Sequence, residues 1–101
     1  MLLKTSNREG WGIDVLEANA CLTPAVGWRV PGTQDSIQDQ KTGFIVPFGD
    51  VAGLARETVK ILRDHDLRGR LAGESRIFCR NFTWDKSSSE IEKILLGLLA
   101  A

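Results

Sequence analysis

The sequence predicts an α/β fold built on a parallel sheet, and three observations carry that reading. The first half sets three short apolar runs, in "LLKTS", "PAVGWRV" and "GFIVP", between Gly, Pro and Asn turn residues. A helix-forming stretch, "IDVLEANACL", stands between the first two runs. From Asp50 onward apolar residues recur at helical spacing. Strand, helix, strand, loop, strand is the order of parallel strands joined by right-handed crossovers.

Taken in order, "MLLKTS" reads as the end of an apolar strand followed by a polar turn through Asn7, so the sheet is expected to begin at the first residues. The helix after Gly10-Trp11-Gly12 carries Asp14 near its positive end and is stopped before Pro24. "PAVGWRV" is the second strand, "PGTQDSIQDQ" a polar connection with room for one helical turn, and "KTGFIVPFGD" holds the third strand, so the alternating part spans residues 2 to 47. Three helices complete the chain, at about 50–64, 66–80 and 84–100. The first opens at Asp50 as N-cap and is expected to bury Val51, Leu54, Ala55, Thr58, Val59 and Leu62. The second opens at Asp66 and presents Leu67, Leu71, Ser75 and Phe78. The third is capped by Thr83 and stacks Ile91, Ile94, Leu95, Leu98 and Leu99 on one side.

The totals exclude several function classes. With 101 residues the chain allows one small domain, which buries roughly two-thirds of the surface its unfolded chain exposes. Thirteen Lys and Arg balance thirteen Asp and Glu, so the basic footprint of a nucleic-acid binder is missing, and no nucleic-acid partner is expected. Cys21, Cys79 and the single His65 have no zinc-site spacing. Both cysteines lie in helix-like, apolar contexts, read as reduced thiols of a cytoplasmic protein. The N-terminus lacks a signal peptide's apolar stretch, and no run approaches a membrane span.

The chemistry concentrates in "REGWGIDVLEANAC", residues 8 to 21. Gly10 and Gly12 let the backbone approach a ligand closely, and the helix that follows offers unpaired N–H groups at its positive end, which suits a phosphate. The third glycine of a dinucleotide fingerprint is missing. Glu9 precedes the turn and Glu17 lies about one helical turn after it, both at the rim where open α/β sheets bind ligands. A carboxylate accepts two hydroxyl hydrogen bonds, as a sugar diol requires. The plainer reading makes Glu9 a helix-dipole partner and Glu17 a solvated helix residue. Trp11 is read as a plug of the adjacent core, with stacking on a ligand the alternative. Trp28 reads as structural at a strand end, Trp84 as the anchor of the last helix, His65 as a surface connector, and Arg29 and Arg76 as solvated.

The ordered set Arg8, Glu9, Gly10, Trp11, Gly12, then Leu16 to Cys21, Thr23 and Pro24, then "VGWRVPG", "DSI", "TGFIVPFGD" and "FTWD" resembles the C-terminal, donor-binding half of the GT-B glycosyltransferases of family 4, group 1. The likeness runs over nearly all of residues 2 to 93. It implies a partial Rossmann-like sheet with flanking helices, the distal half of a GT-B C-terminal domain. It further implies retaining transfer from a nucleotide-diphosphate sugar, UDP- or GDP-linked, without cofactor or metal. Glu17 would accept the ribose hydroxyls, and Glu9, the catalytic residue, would contact the transferred sugar near the reacting carbon. The backbone of Gly10, Trp11 and Gly12, with the amides of Ile13, Asp14 and Val15, would hold sugar hydroxyls and the diphosphate.

Three positions depart from the family pattern. Leu22 stands where a glycine is usual, so the helix cap is expected to differ in geometry; Gln34 replaces a common arginine, and Gln40 a turn glycine, which implies a less basic rim and a stiffer loop. The family's phosphate-binding Arg and Lys and its acceptor-binding domain correspond to nothing in this sequence, so the chain alone is expected to be inactive. Two alternatives stay open: an inactive nucleotide-binding remnant, and an interaction module. Self-association through an exposed sheet edge or the last helix is also expected.

Overall fold

The computed structural model describes residues 1–7 and 10–100. Its elements are β1 (Leu2–Lys4), α1 (Ile13–Ala20), β2 (Ala25–Trp28), α2 (Thr33–Ser36), β3 (Gly43–Val46), α3 (Val51–Arg63), α4 (His65–Cys79) and α5 (Trp84–Ala100). The strands lie in the order β1-β2-β3, all parallel, with Leu3 opposite Val26 and Val26 opposite Phe44. The fold is therefore the α/β arrangement expected, a three-stranded parallel sheet flanked by helices.

Strand periodicity divides the core into two layers. Val26, Phe44 and Val46 point to one face and pack with Leu54 and Ile61 of α3 and Leu71 of α4. Ala25 and Ile45 point to the other and pack with Val15 of α1 and with Ile37. Strands buried on both faces read as continuous apolar runs, which is why "AVGW" and "GFIV" were legible. Gly43 is required by closeness, because a Cβ there would overlap the Ala25 carbonyl on β2. The segment before β3 covers the outer edge of that strand: Asp39 Oδ1 accepts from Ile45 N at 2.9 Å, and Gln40 N donates to Gly43 O at 2.7 Å. Ser75 Oγ of α4 lies 3.2 Å from the Thr42 carbonyl, at the start of β3, and 2.7 Å from the Leu71 carbonyl, its single proton shared between the two.

Helix starts follow their capping residues. Asp50 accepts from Gly53 N at 2.9 Å, and Thr83 Oγ1 accepts from Lys86 N at 3.1 Å. The cap of α4 is Asp64 rather than Asp66: it accepts from Leu67 N at 3.0 Å and places His65 inside the helix, not between two helices. Arg68 closes the α3–α4 corner by donating to the Leu62 carbonyl at 3.0 Å.

Four expectations are corrected. The buried stripe of α3 is Leu54 and Ile61 with Glu57 and Thr58 half-buried, whereas Val51, Val59 and Leu62 are exposed and so is Ala55. Trp84 is 89% exposed, so it does not anchor α5. Cys21 is exposed at the end of α1, not in an apolar context; both thiols are free. The α1 cap keeps the geometry that a glycine would give. Leu22 sits at φ 57°, Leu22 N donates to Asn19 O at 3.0 Å and Thr23 N to Ala18 O at 2.9 Å, which is a Schellman motif with leucine in the left-handed position. Gln40 likewise occupies the left-handed region, at φ 67°.

The helix α5 has no buried residue, and its apolar stripe, Ile91, Ile94, Leu95, Leu98 and Leu99, faces outward. No helix among the described residues is long and apolar enough to cross a membrane.

Candidate site at the start of α1

The site grows from the turn between β1 and α1. β1 ends at Lys4, and the chain returns through Gly10, Trp11 and Gly12 into α1, so the start of α1 lies at the carboxyl end of the sheet. Gly12 is the N-cap, at φ 90° and ψ 52°, with no side chain capping the helix. A Cβ on Gly12 would stand 2.6 Å from Ser36 Oγ, so the turn is pressed against the end of α2. Gly10 differs: it is exposed, and a Cβ there would meet nothing within 4 Å.

The first-turn amides do not share one fate. Val15 N donates to Gly12 O at 3.0 Å and to Asp14 Oδ1 at 2.9 Å, and the Val15 side chain is fully buried in the core. The N–H groups of Ile13 and Asp14 make no hydrogen bond among the described residues. The open donors at this end of the helix dipole include those of Ile13 and Asp14.

Glu17 is exposed on α1 and borders an open cavity of about 460 Å³ that reaches across to Phe82, Trp84 and Ser87. Trp11 lines the same cavity and is half-buried, its ring 5.2 Å from that of Phe82, which in turn meets Phe78 edge-on at 5.1 Å. Trp11 thus closes an aromatic column between the glycine turn and the end of α4 and leaves part of its surface to the cavity. Glu9 lies outside the described residues.

Lys4 was missed in the sequence. It is only 8% exposed, and its Nζ meets Asp14 Oδ2 at 2.7 Å. The only signal was a lysine ending an apolar run, ten positions before an aspartate. Arg29 and Arg76 are exposed and border neither this cavity nor the turn.

A family model described as "Glycosyl transferases group 1" matches residues 1–95. Among curated relatives, the chain is 32% identical over 100 residues to N-acetyl-alpha-D-glucosaminyl L-malate synthase of Bacillus anthracis, covering 98% of this chain and 26% of that protein. It is 36% identical over 96 residues to D-inositol 3-phosphate glycosyltransferase of Salinispora arenicola, covering 95% and 21%. Among solved structures, sucrose-phosphate synthase from Thermosynechococcus elongatus superposes with TM-score 0.78 at 27% identity, over 94% of this chain and 26% of that one. HepE of Anabaena, solved in complex with UDP, superposes with TM-score 0.83 at 21% identity, over 94% and 27%. The chain spans about a quarter of the length of these proteins or less.

Proposed function

This chain belongs to the group 1 glycosyl transferases, and from that premise we propose that it forms the distal part of a donor site, binding a nucleotide-diphosphate sugar for retaining glycosyl transfer. The observation that carries the reading is the start of α1. A helix N-terminus whose N-cap residue, Gly12, has no side chain directly follows a glycine turn, with Glu17 about one turn further along. The diphosphate lies over the free N–H groups of Ile13 and Asp14, where fixed dipoles meet negative charge. Glu17 accepts the two ribose hydroxyls, and Glu9 contacts the transferred sugar. Gly10 and Gly12, with the Trp11 backbone between them, let that sugar approach the main chain. Val15 serves from beneath, holding α1 on the sheet, since its own N–H is engaged within the chain.

UDP is the donor nucleotide we take first, because the fold neighbour HepE was solved with UDP. Transfer itself needs an acceptor wall that these residues do not supply, and loss of one wall forfeits much of a positioning gain of roughly 7–11 kcal/mol. The chain alone therefore binds donor and transfers nothing. Titration calorimetry with UDP, GDP and ADP tests the reading: one nucleoside diphosphate should bind and its nucleoside should bind far more weakly. Absence of binding by all three would leave the second reading, an interaction module, which the outward apolar stripe of α5 favours.

A further inference from the structure

We propose that Lys4 and Asp14 act as a charge-cancelling pair that sets how strongly the start of α1 binds a diphosphate, an inference that rests on the donor-site reading above. Asp14 is the second residue of α1, and its carboxylate stands at the same helix end as the free N–H groups of Ile13 and Asp14. Its Oδ1 accepts from Val15 N at 2.9 Å, so the carboxylate already sits in the positive field that an incoming anion would use. Left uncompensated, it would repel a ligand that brings two or more negative charges. Lys4 answers this from below. Its side chain is 9% exposed against 50% for Asp14, and Nζ lies 2.7 Å from Oδ2. The lysine is thus held in the protein body at the end of β1 while the carboxylate it neutralises stays half exposed at the start of α1.

The pair has two effects on the site. It removes one negative charge from the electrostatics of the anion corner, and it fixes the Asp14 side chain so that Oδ1 takes the Val15 amide and leaves the Ile13 and Asp14 amides open. Neither residue need touch the ligand through its side chain; both are positioning residues for the diphosphate. Glu17 and the hydroxyl contacts assigned to it are untouched by this charge balance. The consequence is selective: changing the pair alters affinity for the diphosphate and not for the nucleoside.

The test is a double-mutant cycle on the chain, with UDP by calorimetry and uridine by ligand-detected NMR. Lys4→Met keeps the shape of a buried side chain and removes its charge, and it should weaken UDP by about tenfold or more, since like charges brought together at a site are costly. Lys4→Met with Asp14→Asn restores the parent's net charge at the site and should return UDP affinity to within about threefold of the parent. Asp14→Asn alone, at an exposed position that need not disturb folding, should tighten UDP by about threefold or more. Uridine should respond to none of the three. Equal UDP affinity across the set, failure of Asp14→Asn to rescue Lys4→Met or to tighten binding, or matching losses on uridine would overturn the pair's role. If the parent binds none of UDP, GDP and ADP, the donor-site reading falls first and this inference with it; the cycle is run with whichever of the three binds and its nucleoside, and parent binding with unresponsive variants overturns this inference alone. Should Lys4→Met fail to fold, the Asp14→Asn arm decides by itself.

Discussion

Ser36 Oγ stands 2.6 Å from the point where Gly12 would carry a Cβ, so the glycine turn is held by α2 as well as by its own positive φ. Enlarging Gly12 therefore strains the fold and the anion corner together. Gly12→Ala should lower stability by about 1–3 kcal/mol, read from the urea midpoint, and cannot by itself report on a ligand. Gly10 separates the two effects, because it has open space around it. Gly10→Ala should leave the urea midpoint within about 0.5 kcal/mol of the parent. If a sugar or diphosphate lies against that backbone, the same variant should lose about tenfold in nucleotide-sugar affinity. Unchanged affinity would remove Gly10 from the site.

The turn shows how much a sequence can disclose. The strands were legible because β2 and β3 are buried on both faces and so appear as uninterrupted apolar runs. The face of α3 was not. Its apolar residues spread over more than one stripe, and only the sheet selects Leu54 and Ile61 while leaving Val51 and Leu62 outside. Glu17 and the glycine turn could be picked out as local chemistry, whereas Lys4 could not. Its importance depends on Asp14, a partner that the crossover folds back over the end of β1. The left-handed leucine was hidden for a related reason: a residue type that disfavours a conformation says nothing about whether the surrounding bonds impose it.

Leu22 gives the clearest stability prediction. A leucine at φ 57° pays roughly 1–2 kcal/mol of steric cost that glycine does not. Glycine gives back about 0.5–1 kcal/mol through the entropy of the unfolded chain. Leu22 is half exposed, so little packing is lost. Leu22→Gly should stabilise the chain by about 0.5–1 kcal/mol in urea denaturation. A lower midpoint would mean that the leucine side chain contributes packing that outweighs the strain.

Asn19 is fully buried on α1, and neither the nitrogen nor the oxygen of its side-chain amide finds a partner among the described residues. Such a group costs on the order of 1–3 kcal/mol when left unmade. Asn19→Val, only a little larger and without a polar atom, should raise stability by about 0.5–1 kcal/mol, measured as a shift in the urea midpoint at unchanged slope. Loss of stability would show that the amide has bonds in solution, through water, that the apolar side chain cannot replace.

The last helix should behave unlike the rest. α5 buries nothing, and an amphipathic helix of this length is marginal in water without a surface to pack on. In dilute solution its amides should exchange far faster than those of α3 and α4, and sedimentation should show mass rising with concentration as the stripes of different copies meet. Leu95→Glu should abolish the rise in mass. A strictly monomeric chain with α5 protected as well as α3 would show that the helix is self-sufficient.

The two glutamates make separable demands on the ligand. If Glu17 holds the ribose diol and Glu9 the transferred sugar, their losses must follow different parts of the same molecule. Hydrogen bonds to a charged group contribute about 1.5–3 kcal/mol. Glu17→Ala should therefore weaken UDP and its nucleotide sugar alike, by roughly ten- to a hundredfold. Glu9→Ala should leave UDP nearly unaffected and weaken only the nucleotide sugar. Because Glu17 is exposed, its replacement should also leave the urea midpoint in place, so that a binding loss cannot be charged to unfolding. Equal losses on bare UDP for both variants, or no loss for either, would return Glu17 to a solvated helix residue and Glu9 to a partner of the helix dipole, and would leave the amides of Ile13 and Asp14 as the whole of the ligand contact on α1.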